Sequence, residues 1–95
     1  MDFVWHPEAV AEADAAAAFY ADKQPQLAIR FVNSLDEALG RLSINPEMYR
    51  EVEPGIRKIK LKTFPYVVIY RTKGAIEIIA VTHIRRKPGY WNDRG

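Results

Sequence analysis

The chain has 95 residues and no cysteine. That excludes a disulfide framework, a thiolate nucleophile and a cysteine-based zinc site. The two histidines, His6 and His83, stand far apart in sequence and show no metal-ligand spacing. Glycine is sparse, and no glycine-rich phosphate loop, nucleophile elbow or paired-carboxylate motif occurs, so nucleotide hydrolysis and acyl transfer have no support. Apolar runs extend only a few residues, far short of the roughly 20 needed to span a bilayer. The opening Met1-Asp2-Phe3-Val4-Trp5 lacks the basic region of a signal peptide. The absences together predict a cytoplasmic protein from a reducing compartment, with no membrane partner, no metal and no cofactor. Repeats, linkers and low-complexity segments are also missing, which leaves one domain over 1–95.

What is present is a core and a divided charge. Hydrophobic residues make up 48% and aromatics 12%, enough for a packed interior rather than disorder. Residues 1–55 carry four Lys/Arg against ten Asp/Glu, a net of −6. Residues 56–95 carry ten Lys/Arg against two Asp/Glu, a net of +8. The overall +2 therefore conceals an acidic first part and a basic second part. Such a basic part attracts an anion: nucleic acid or an acidic protein segment.

Element signals agree with that division. Phe3–Trp5 is β-prone and ends at His6-Pro7, where proline suits the first turn of a helix. Glu8 to Asp22 is alanine-rich, with Val10, Ala13, Ala17 and Tyr20 recurring at helical steps. Pro25 to Ser43 reads as a second helix, with Ala28, Phe31, Val32, Leu35, Leu39 and Leu42 on one stripe and Asn45-Pro46 as its stop. A loop from Glu47 to Gly55 leads into Ile56–Leu61, where Arg57, Ile59 and Leu61 alternate with Lys58, Lys60 and Lys62. Tyr66–Arg71 follows the Phe64-Pro65 break, Thr72-Lys73-Gly74 turns the chain, and Ile76–His83 is apolar on both faces like an inner strand. The order is β-α-α-β-β-β: an α+β fold with a helix hairpin on a mainly antiparallel four-stranded sheet.

The chemistry gathers in the basic part. Lys58, Lys60 and Lys62 on one strand face repel one another unless an anion answers them, although lysines also guard strand edges against aggregation. His83 ends the strongest strand beside Arg85, Arg86 and Lys87, and its imidazole can exchange a proton near neutral pH. Tyr90 can stack on a base or give a proton, while Trp91 caps the end of the sheet. Arg57 and Arg71 suit ion pairs with the acidic helices.

Three segments carry a resemblance: Arg57-Lys58-Ile59-Lys60-Leu61, Phe64-Pro65-Tyr66-Val67-Val68-Ile69-Tyr70, and Ala80-Val81-Thr82-His83-Ile84-Arg85-Arg86-Lys87-Pro88-Gly89-Tyr90-Trp91. In this layout the chain resembles the RelE/ParE toxins of type II toxin–antitoxin systems, across nearly its whole length. The resemblance implies a growth-arrest protein held inactive in a hetero-oligomer by a cognate antitoxin, whose acidic amphipathic segment crosses the Lys58–Lys62 face. It also implies one of two targets.

RelE-like members cleave messenger RNA on the ribosome without a metal. On that reading Lys58, Lys60 and Arg86 stabilise phosphate charge and His83 or Tyr90 moves protons, with Arg57, Lys62, Arg71, Arg85, Lys87 and Trp91 holding the target. Val67 stands where that branch has an arginine, and Ile84 stands at a second such position. ParE-like members inhibit DNA gyrase by protein contact, and the Phe-Pro-Tyr and Val-x-His-x-Arg-Arg wording sits nearer to them. The expected function is thus a toxin, with gyrase inhibition placed ahead of RNA cleavage. A nucleic-acid-binding module without catalysis is the third reading.

Overall fold

The computed structural model describes residues 3–94, so the reading of Met1 and Asp2 lies outside the described residues. β1 (Phe3–Trp5) leads into α1 (Pro7–Lys23), and Pro25 opens α2 (Pro25–Ile44) one residue later. His6 caps α1, its Nδ1 accepting from the Glu8 amide at 3.0 Å, and Pro7 fills the first turn where a missing N–H costs nothing. Gln24 has extended backbone and separates the two helices.

α2 buries Phe31, Leu35, Ala38 and Leu42, a row at three- and four-residue steps. Val32, expected on that stripe, is exposed, because at 100° per residue it turns away from the row that Phe31 begins. α1 likewise buries Ala9 and Ala16 and leaves Val10 exposed. Its side chains on that face are short, so Tyr20 of α1 packs with Phe31, Phe64 and Tyr66 in one aromatic cluster under the hairpin.

The sheet has five strands in the order β1-β5-β4-β3-β2. β2 (Glu51–Glu53), β3 (Ile56–Lys60), β4 (Tyr66–Lys73) and β5 (Ala75–His83) pair antiparallel in sequence, and β1 runs parallel to β5. β2 lies inside the expected loop and corrects the count of four. It is three residues long, acidic and exposed, so it carries no alternation to read. Gly55 turns β2 into β3 with a φ of +78°, a conformation that favours glycine.

A bulge explains the doubly apolar run in β5. Ile69 pairs with Ala80 and Tyr70 with Ile78, so Ile79 is an extra residue. Ile78 and Val81 then face the helices, with Val68 and Tyr70, while Ile79 and Ala80 join Val67 and Ile69 on the outer face. Trp91 and Tyr90 fold back onto that outer face and cover part of it.

Candidate functional site

Alternation along β3 and β4 builds a groove on the outer face. Lys58 pairs across with Ile69 and Lys60 with Val67, so both lysines share the face that carries Val67 and Ile69. Val67, Ile69, Thr82 and Trp91 line a groove of about 300 Å³, bordered by the cations Arg50, Lys58, Arg86 and Lys87, by His83 and Tyr90, and by one carboxylate, Glu51. The groove is therefore apolar below and positively charged around its mouth.

One acid from α1 organises the wall beside it. Glu12 accepts from the Val81 amide at 3.0 Å, from the Tyr90 hydroxyl at 2.5 Å, and from Arg94 through Nη1 at 2.8 Å and Nη2 at 3.1 Å. Arg86 Nη1 stands 3.7 Å from the same carboxylate, with its guanidinium 3.6 Å from the centre of the Tyr90 ring. Burial by itself would raise the Glu12 pKa, but the hydrogen bonds from Arg94, Tyr90 and Val81 outweigh it and hold the carboxyl below its ordinary value. Burial and the adjacent Glu12 carboxylate push the Tyr90 phenol upward in turn. Arg94 also donates to the Ile79 carbonyl at 3.2 Å. β1 pairs with β5 only as far as Ile78, and these side chains serve the strand edge beyond it.

Against this geometry the expected site residues separate. Lys58 and Lys60 keep a common face, but Lys62 lies past the end of β3 and its ammonium is 3.5 Å from Glu37 on α2. The row of three lysines on one face is thus corrected to two. Lys60 bends its Nζ onto the Leu61 carbonyl at 3.0 Å. Arg57 faces the helix side, donating to the Tyr49 carbonyl at 2.8 Å, and its nearest carboxylate is Glu51 at 3.8 Å. Arg71 pairs with Glu77 on the neighbouring strand at 2.8 Å. Both arginines are ion-paired, to strand acids rather than to the helices.

His83 pairs with Tyr66 across the strands, and its ring packs edge-on against that tyrosine on the helix side. Its Nδ1 accepts from the Arg85 amide at 3.1 Å. Arg85 and Lys87 are exposed, Arg86 is drawn toward Glu12, and Trp91 is buried against the outer-face core. The Tyr90 hydroxyl, a candidate proton donor, is committed to Glu12. Among the described residues no group of three or more His, Asp or Glu is placed to hold a metal ion, and no helix is long and apolar enough to cross a membrane.

Glu12, Arg94, Thr82 and Arg50 are absent from the residues singled out by sequence. Glu12 left a faint signal. It sits between Ala9 and Ala16 at steps of three and four, a lone acid in an otherwise small, buried row. An acid on a buried helix face needs cationic partners, and the surplus of arginine near the C-terminus supplies them.

A helix hairpin over a mixed sheet, with a cationic groove on the open face, defines a class of small α+β proteins. Residues 3–88 match the family described as ParE toxin of type II toxin-antitoxin system, parDE. The chain belongs to that family, as its three sequence segments imply. A chain of the solved structure "Chromosomal ParDE TA system from P. aeruginosa" is 25% identical, with 87% of this chain and 95% of that one covered, at a TM-score of 0.76. No curated protein matches the chain.

Proposed function

We propose that this toxin arrests growth by binding DNA gyrase, and that it does not cut messenger RNA. The observation that supports the reading is that the two proton-carrying groups lining the cationic groove, His83 and Tyr90, are already engaged within the fold. The Tyr90 hydroxyl donates its hydrogen bond to Glu12, and His83 accepts from the Arg85 amide at Nδ1 while its ring packs edge-on against Tyr66. Val67, where a RelE-like enzyme has an arginine, is part of the buried apolar floor. General acid–base catalysis needs the proton carrier within hydrogen-bond reach of the reacting oxygen. A protein-contact inhibitor needs only a fixed surface.

The toxin is held inactive by a cognate antitoxin in a hetero-oligomer. Phe19, Ile29 and Val32 are exposed on the helix hairpin at 53%, 62% and 43%, and Lys58, Arg50 and Lys87 carry no ion pair among the described residues. An antitoxin that wraps the toxin satisfies both features, with an apolar stretch on the hairpin and a separate acidic stretch over the groove on the other face of the sheet. The test is purified gyrase with relaxed plasmid. Toxin in excess is expected to stop supercoiling, and the acidic protein encoded beside it is expected to restore it. Unimpaired supercoiling overturns the gyrase reading, and failure of the neighbouring product to bind overturns the antitoxin reading.

A further inference from the structure

The last described residues are held to the domain by one aromatic anchor and one carboxylate. From Ile84 to Arg94 the chain forms turns and irregular backbone, with no helix or strand. Gly89 turns it back over the sheet with a φ of +88°. Beyond it, the Asn92 amide donates to the Gly89 carbonyl and the Arg94 amide to the Trp91 carbonyl, each at 3.0 Å. Trp91, the anchor, is 5% exposed and packs in the outer-face cluster of Val67, Ile69, Ile79 and Ala80. The carboxylate is Glu12, which accepts from the Tyr90 hydroxyl and from both terminal nitrogens of Arg94. Arg94 also reaches the Ile79 carbonyl, on the part of β5 that β1 leaves unpaired.

This closed arrangement carries a cost. Thr82 is 7% exposed and lines the same groove as Tyr90 and Trp91, and its Oγ1 has no hydrogen-bond partner among the described residues. A buried hydroxyl in that state has given up water and received nothing in exchange. Glu12, by contrast, also holds the Val81 amide and has Arg86 beside it, so its charge is not stranded when Tyr90 and Arg94 leave. Turns with one anchor, one polar hold and an unpaired hydroxyl beside them belong to the low end of a protein's local stabilities.

We propose that residues 88–94 are a clip that opens as one unit while the rest of the domain stays folded, with Glu12 as the catch that holds it shut. Opening lifts Tyr90 and Trp91 from the sheet, lets water reach Thr82, and bares the apolar strip of Val67, Ile69, Ile79 and Ala80. The outer-face groove therefore has a closed form, walled by Tyr90 and Trp91, and an open form without that wall. The balance between them decides how wide an occupant the groove accepts. The inference rests on the contacts of the free chain and not on the gyrase reading.

The test is native-state hydrogen exchange of the purified full chain, followed by NMR at several urea concentrations below the unfolding transition. The Asn92 and Arg94 amides are expected to share one opening free energy, well below that of the Phe31 and Leu35 amides in α2. Their exchange is expected to depend little on urea, the mark of an opening that exposes little surface. Glu12→Gln is expected to speed exchange of both clip amides at least about tenfold, and Thr82→Val to slow it roughly fivefold by removing the unpaired hydroxyl. Leu39→Ala weakens the helix-side core and separates the clip from the domain. It is expected to speed the α2 amides and leave Asn92 and Arg94 unchanged. The proposal is overturned if the clip amides show no protection, if they exchange only with the α2 amides and with the same urea dependence, or if Leu39→Ala speeds all four alike. It is also overturned if Glu12→Gln or Thr82→Val leaves the clip amides unchanged.

Discussion

At the scale of single residues, the decisive group is Glu12. Its carboxylate joins α1 to β5 and to the C-terminal turns through Val81, Tyr90 and Arg94, and its side chain is 14% exposed. Glu12→Gln keeps the shape but removes the charge that answers Arg94 and Arg86. It is expected to destabilise the protein by about 2 kcal/mol, the scale of weakening a charge-assisted network without emptying it, measured by urea unfolding at neutral pH. The same residue sets an acid limb. Its folded pKa is below the ordinary 4.5, so the unfolded chain binds the proton more readily. The stability it contributes is therefore complete above about pH 4.5 and is lost as pH falls toward the folded value. In Glu12→Gln this part of the acid limb is expected to flatten, and an unchanged limb would show that other carboxylates govern it. Tyr70 is a quieter case: burial raises its phenol to about 12, against the opposing pull of Arg57, and its hydroxyl donates to the Pro46 carbonyl.

At the scale of elements, α2 shows how far periodicity reaches. The stripe read from sequence contains Phe31, Leu35 and Leu42, which are buried, and also Val32, which is not. Phe31→Ala is expected to cost about 3–5 kcal/mol through the cavity it leaves among Tyr20, Phe64 and Tyr66. Val32→Ala is expected to cost less than about 1 kcal/mol, because little is buried there. Thermal unfolding of the two variants checks the phase of the helix, and equal losses would contradict it. The helix bounds and the three longer strands were legible because proline breaks, Gly74 and regular alternation mark them. β2 was not legible, since three exposed acidic residues carry no pattern. The bulge at Ile79 was visible only as its consequence, a strand apolar on both faces.

At the scale of the whole molecule, the acidic and basic parts of the chain partly neutralise each other. Glu12 takes Arg86 along with Arg94, and Glu37 takes Lys62, so the helices answer Arg86 and Lys62, two of the cations that a linear reading assigned to a target. What stays open is narrower than the expected platform: Arg50, Lys58 and Lys87 around one groove, with Lys60 beside it. The candidate site was legible as far as β3, where alternation fixes which lysines share a face. It was not legible at His83, whose ring is turned to the helix side by its pairing with Tyr66, nor at Tyr90, whose partner lies on a helix at the other end of the chain. Long-range pairing of this kind leaves no periodic trace in sequence.

The function proposed for this ParE-family toxin is to hold a target rather than to cut one. Ribosomes programmed with a defined message, incubated with a molar excess of purified toxin and read by primer extension, test it most directly. Intact message under conditions where the same preparation halts gyrase is the predicted result. Cleavage in the ribosomal A site that disappears in His83→Ala or Lys60→Ala would contradict it.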